Sequence, residues 1–265
     1  MRPIIAALAS LALLSACDGE PANDTSTASA EPGDLNTDRD EESDEPILAE
    51  DLILDEYSPT MEFEWSVPAL IGRYPKLLET LRQRAEATRS DLAETAREQA
   101  QFRAEEELPP QAVMHDERWR VAFRNPALIN LKVEAHNYTG GAHPNSFFQS
   151  KFWDTEEQRE VEFSDLFINW PVARDTLSKR YCAALDEMRS ERRDGRTASA
   201  DFEDCPDLDE QPIALIGPRG GEPNGMTVLL SPYVAGPYAE GPYEVSISFD
   251  RDLQEMLKAR YRGEG

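Results

Sequence analysis

Met61-Glu-Phe63-Glu-Trp65-Ser-Val67 alternates apolar and polar positions, the period of a half-buried strand. After Pro75 the period changes. Leu78, Leu81, Ala85, Leu92, Ala96 and Ala100 recur at helical spacing through residues 76–107, with charges of both signs between them. That pattern predicts a long amphipathic helix with a mixed-charge outer face, stopped by Pro109-Pro110. Trp119–Phe123 alternates again, and Ile129, Leu131, Val133 and Ala135 predict a strand of about ten residues. Phe148–Trp153 and Val161–Phe163 read as a hairpin around the polar Asp154–Glu157 stretch. A second helix is predicted over 171–192, with Ala173, Leu177, Ala184, Leu185 and Met188 inward. Met226–Tyr233 and Tyr243–Phe249 read as strands, and a short helix carries Leu253, Met256 and Leu257. Strands follow strands without a helix between each pair, so the expected class is α+β: antiparallel sheets packed with two main helices.

The N-terminus breaks this pattern. Arg2 precedes an apolar run from Ile4 to Leu14 that is short for a bilayer span and reads as a signal peptide over 1–16. Leu14-Ser15-Ala16-Cys17 resembles the bacterial lipobox, which implies cleavage before Cys17 and a lipid on its sulfur. The expected location is the bacterial cell envelope, membrane-anchored through that lipid and facing the periplasm. Residues 18–56 hold 15 Asp and Glu against Arg39 alone and have little apolar content before Ile47. They cannot bury enough surface to fold alone, so residues 17–56 are expected to be a disordered acidic tether.

Charge and cysteines narrow the chemistry further. The 265 residues carry a formal net charge of −25, which repels phosphate backbones and argues against nucleic acid as a partner. Cys182 and Cys205 remain once Cys17 is lipidated, and an even pair in an exported chain predicts a disulfide tying the second helix to the acidic loop at 194–210. The other use of such a pair, a metal or redox site, has no second cysteine pair to support it.

Two segments are distinctive. One is Ala135-His-Asn-Tyr138-Thr-Gly-Gly-Ala-His143-Pro144; the other runs from Leu229 through Pro232-Tyr233, Gly236, Tyr238 and Gly241-Pro242. Asp165-Leu-Phe lies between them. In order and approximate spacing they resemble the extracytoplasmic domain pair of the RsiV-type anti-sigma factors, which also accompanies the PdaC-type peptidoglycan deacetylases. The resemblance covers roughly 57–260. It implies two small consecutive α+β subdomains, PdaC-like over 57–160 and RsiV-like over 161–265. RsiV-type proteins use this region to bind lysozyme, so it implies a lysozyme-like muramidase or a peptidoglycan component as partner. The sequence shows neither the deacetylase catalytic domain nor a sigma-binding segment.

From the residues themselves, Gly140-Gly141 permits a sharp turn that presents Tyr138, His143 and Asn145, while Tyr233, Tyr238 and Tyr243 populate the second loop. Two roles are open to these groups: contact with a partner, or closure of the turn and packing of the loop. A metal site from His136, His143 and Asp154 would require convergence that the spacing does not provide. Asp201–Glu210 lacks the glycine and spacing of an EF-hand loop and reads as solvated. No nucleophile elbow surrounds Ser146. The expectation is a non-catalytic binding module without cofactor or metal. The rival readings are a peptidoglycan-modifying enzyme or its glycan-binding part, and a structural envelope lipoprotein.

Overall fold

The computed structural model describes residues 51–194 and 202–263. The signal peptide, Cys17 and the tether up to residue 50 lie outside the described residues, as do 195–201 of the acidic loop. Among the described residues, no helix is long and apolar enough to cross a membrane.

The fold is α+β, with a seven-stranded and a three-stranded sheet. Strands β1 (Leu52–Tyr57) and β2 (Met61–Val67) form a hairpin, closed where the Met61 N–H donates to Ser58 Oγ at 3.0 Å. The expected tether therefore ends earlier than residue 56. Its last residues become an edge strand that pairs with β2, although Ile53 stays 68% exposed. Helix α1 (Pro75–Glu105) follows, with proline at its first position. Leu77, Leu81, Ala85, Leu92 and Ala96 turn inward. Burying one such leucine is worth about 2 kcal/mol over leaving it in water.

The helix leads into β3 (Val113–Arg118), which pairs with β2 in parallel. This departs from the expected antiparallel sheet for a topological reason. A long helical crossover returns the chain in the same direction, whereas a tight hairpin reverses it. Strands β4 (Arg120–Arg124), β5 (Leu128–Tyr138), β6 (Asn145–Asp154) and β7 (Arg159–Val161) complete the sheet, in the order β1-β2-β3-β5-β6-β7, with β4 also pairing along β5.

Helix α2 (Trp170–Arg192) packs on the second sheet, formed by β8 (Ile213–Ile216), β9 (Gly225–Leu230) and β10 (Tyr243–Ser248). The short helix α3 (Arg251–Met256) follows β10. Strand β5 serves two cores. Ile129, Leu131 and Val133 face the α1 core, whereas Leu128 and, on β6, Phe152 enter the α2 core. Between them Asn130 is fully buried. Its Nδ2 donates to Ile213 O at 3.3 Å and its Oδ1 accepts from Leu215 N at 2.8 Å, so one amide joins the two sheets.

Candidate functional site

The two motif segments meet. The β5–β6 hairpin turns through Gly140, whose φ of +95° is open to glycine but strained for other residues. The turn delivers His143 against the ring of Tyr238, with centroids 3.8 Å apart and planes 19° from parallel. The Tyr238 hydroxyl donates to Pro144 O at 3.0 Å. His143 Nδ1 lies 3.0 Å from the same carbonyl, which can only accept, so Nδ1 carries a proton. Tyr233 lies 5.7 Å from Tyr238, is 54% exposed, and has a φ of +71°. A tyrosine held in that region is backbone strain maintained by its surroundings. Pro144 and Val234 extend the exposed rim.

The loop from 231 to 242 is fixed from beneath. Its start accepts from the β6 backbone, Phe148 N to Ser231 Oγ at 2.9 Å. Arg193 meets Glu240 with two nitrogens, Nε to Oε1 at 2.9 Å and Nη2 to Oε2 at 3.0 Å. The Tyr243 hydroxyl donates to Glu240 Oε2 at 2.5 Å. A side chain at Gly236 would sit 2.2 Å from Glu240 Oε2, which explains a glycine there. Arg192 donates to Glu240 O and Pro242 O, both at 2.7 Å, and lies 3.9 Å from the Tyr243 ring centroid. Arg189 donates to Ala235 O at 2.9 Å and to Asp204 O at 3.1 Å. The last turn of α2 thus grips the tyrosine loop through three guanidiniums, and such prior ordering lowers the entropy that binding must cost.

Each expected site residue can now be placed. His143, Tyr233 and Tyr238 form one surface cluster. Tyr138 stands outside it, its hydroxyl engaged by the Gln111 side chain. Asn145 is exposed at the start of β6, opposite Asn137. Tyr243 is corrected as a contact residue. It is fully buried, and its hydroxyl serves Glu240 instead of a partner. The disulfide Cys182–Cys205 is present, with Cα atoms 5.6 Å apart, and it holds the segment whose carbonyls Arg189 reaches. His136 faces Ser146 near the turn, whereas Asp154 pairs with Leu128 at the far end of the hairpin, so these groups do not converge with His143. Asp154 is buried and accepts from Tyr261 Oη at 2.8 Å. Among the described residues, no group of three or more His, Cys, Asp or Glu is placed to hold a metal. In the acidic loop, Asp207 and Asp209 are paired with Arg174 at 2.8 and 2.7 Å.

Reading the sequence missed the guanidinium grip. The signal was available, because Ala173, Leu177, Tyr181 and Leu185 repeat every four residues and the next step lands on Arg189. It also missed the buried set on β3, where His115 Nε2 lies 3.2 Å from Glu117 Oε2 and Trp119 Nε1 donates to Glu117 Oε1 at 2.5 Å.

The Arg193 guanidinium holds the Glu240 carboxyl below its ordinary value of 4.5, and burial, then Glu240, raises the Tyr243 phenol. A carboxyl with a lowered folded pKa contributes stability that is complete above 4.5 and is lost as pH falls through the folded value. The melting temperature is therefore expected to hold between about pH 7 and 5 and to drop below about 4.5, with Glu240→Gln flattening part of the drop. Calorimetric melting across that range checks this; an unchanged acid limb in Glu240→Gln would refute the role.

Comparison with known proteins agrees with this fold. The family described as deacetylase PdaC matches residues 55–146, so the likeness to the PdaC-type accessory region extends over β1 to the start of β6. A crystal structure of a DUF3298 family protein from Pseudomonas aeruginosa PAO1 is similar at a TM-score of 0.50 and 16% identity. The match covers 82% of this chain and 97% of that one. A member of the same family from Bacteroides fragilis NCTC 9343 matches at 0.49 and 14% identity, covering 80% and 93%. The Pseudomonas likeness is one of fold. No curated protein matches the sequence.

Proposed function

We propose that this protein is a cell-envelope lipoprotein, anchored through Cys17, whose folded part is a non-catalytic binding module. Its contact surface is the cluster of His143, Tyr233 and Tyr238. The observation that carries the reading is the 3.8 Å stack of His143 on Tyr238, which joins two segments 95 residues apart into one ordered, partly exposed aromatic face. Tyrosine suits such a face because it offers a large contact area at a low entropy cost. The partner we assign is a basic muramidase of the lysozyme kind. The motif resemblance points to it, and a chain of net charge −25 attracts a cationic protein and speeds the encounter.

Titration calorimetry of lysozyme into the full chain carrying Cys17→Ser tests this, at about 0.15 M salt so that distant charges are screened. Saturable heat is expected. Tyr238→Ala and His143→Ala should each weaken binding by roughly thirty-fold, the effect of about 2 kcal/mol at a contact aromatic, while melting stays near wild type. Lower stability with undiminished affinity would make the cluster a packing device. Heat from peptidoglycan fragments and none from lysozyme would transfer the same surface to a glycan ligand.

A further inference from the structure

A second cleft, sharing no residue with the aromatic cluster, has a charge opposite to that of the chain. It has a volume of about 480 Å³ and lies between the turn after β2, strand β4 and the β8–β9 loop. Arg73, Arg124 and Arg219 line it together with Leu70, Val121 and Phe123, and among the described residues no carboxylate does. In this sequence Asp and Glu outnumber Lys and Arg by 52 to 27, and several arginines elsewhere are paired with acids. Arg89, Arg118, Arg174, Arg180 and Arg260 all meet carboxylates. The three cleft arginines have no ion pair or side-chain hydrogen bond among the described residues.

The positions are built as well as charged. Gly220 N donates to Arg124 O at 3.0 Å, which fixes the loop bearing Arg219 against the strand bearing Arg124. The Tyr74 N–H closes the turn after Arg73 onto Ile71 O at 2.9 Å. Phe123 is buried and supplies a rigid apolar wall. Guanidinium forks match the oxygens of phosphate and carboxylate groups in geometry and charge. A cavity of this size, mostly walled by apolar groups with a few convergent polar ones, is of the kind that takes small organic ligands.

We propose that this cleft binds a small organic anion, an oxyanion head held by Arg73, Arg124 and Arg219 with an apolar body against Leu70, Val121 and Phe123. The head is a phosphate ester or a carboxylate, carried either by a soluble molecule or by an anionic lipid. An anion that lacks the apolar body forgoes the contacts with Leu70, Val121 and Phe123, so the site selects for both parts.

The probe is hexyl phosphate, titrated by calorimetry into the full chain carrying Cys17→Ser at about 0.15 M salt. Saturable binding is expected, with inorganic phosphate and hexanol at least about tenfold weaker, since each supplies only one part of the contact. Arg124→Gln should weaken hexyl phosphate about tenfold, and the triple change of Arg73, Arg124 and Arg219 to Gln should abolish it. Arg82→Gln with Arg97→Gln, on the exposed face of α1, should leave it unchanged. The cleft guanidiniums hold no ion pair or side-chain hydrogen bond among the described residues, so the variants are expected to fold, and Arg219→Gln on its exposed loop stands in should the triple change melt early. Absence of saturable heat, or binding that survives the triple change, overturns the proposal. Co-sedimentation with phosphatidylcholine vesicles, with and without phosphatidylglycerol, separates the sources. Arginine-dependent pelleting assigns a lipid headgroup, and hexyl phosphate binding without pelleting assigns a soluble ligand; both support the site.

Discussion

Replacing Cys182 and Cys205 together with serine is expected to lower the melting temperature by roughly 10 °C. The bond closes a chain loop across a sequence separation of 23 residues. By chain entropy such a loop is worth about 3.5 kcal/mol, and a domain of this size loses about 2–4 °C per kcal/mol. Two features bear on whether the full amount appears. Both sulfurs are partly buried against the second core, so the serines also lose some packing. Against that, Arg189 still grips the carbonyls of Glu203 and Asp204 after the bond is gone, which restrains the freed segment in the folded state. The constraint on the unfolded chain is lost regardless, and it is the larger quantity. Differential scanning calorimetry of the double variant beside wild type measures the shift. A change within about a degree would show that the link contributes little to stability and serves only to place residues 203–205.

The elements legible in the sequence are those whose buried face is apolar. β2, β5, β6 and α1 were readable because Phe63 and Trp65, Leu131, Phe148 and Phe152, and Leu81 sit at the period their element demands. β3 was hidden because its inward positions after Val113 are His115 and Glu117, polar residues that satisfy one another and Trp119 below the surface. A hydrophobicity pattern counts them as outward. β1 was hidden for the opposite reason, since an edge strand rich in acid resembles tether composition until its partner is known. β8 has only four residues and no alternation. For the site, the motif order placed the turn and the tyrosine loop in one unit, and the structure stacks His143 on Tyr238. What composition could not distinguish was which tyrosines face outward. Tyr233 and Tyr243 look alike in the sequence, yet one is 54% exposed and the other buried over Glu240. That difference is set by the positive φ at Tyr233 and by the guanidiniums arriving from α2, both long-range consequences of the fold.

Arg189→Met is expected to cost about 3 kcal/mol and to weaken partner binding without touching any contact residue. Arg189 is 4% exposed and donates to the carbonyls of Ala235, Asp204 and, at 3.4 Å, Glu203. The carboxylate it pairs with, Asp186, is 3.5 Å away with a side chain 68% exposed, so water screens that pair and it adds little. The carbonyl bonds decide the outcome. Hydrogen bonds from a charged donor contribute about 1.5–3 kcal/mol each, offset by the cost of burying the guanidinium, and methionine keeps most of the stem's packing while removing the bonds to Glu203 O and Asp204 O and leaving Ala235 O only the longer one from Arg193 Nη2 at 3.3 Å. Lysine in the same place keeps the charge but is a compact ammonium that lacks the spread fork, so Arg189→Lys should restore only part of the loss. The functional consequence follows from Ala235, which lies between Tyr233 and Tyr238. Once its carbonyl loses the shorter of its two guanidinium bonds, the loop bearing both rings is held at fewer points, and ordering it must be met from binding energy. Melting and lysozyme titration on the same preparations test the two effects together. Reduced stability with full affinity for the partner would mean that the grip stabilises the fold without ordering the contact surface.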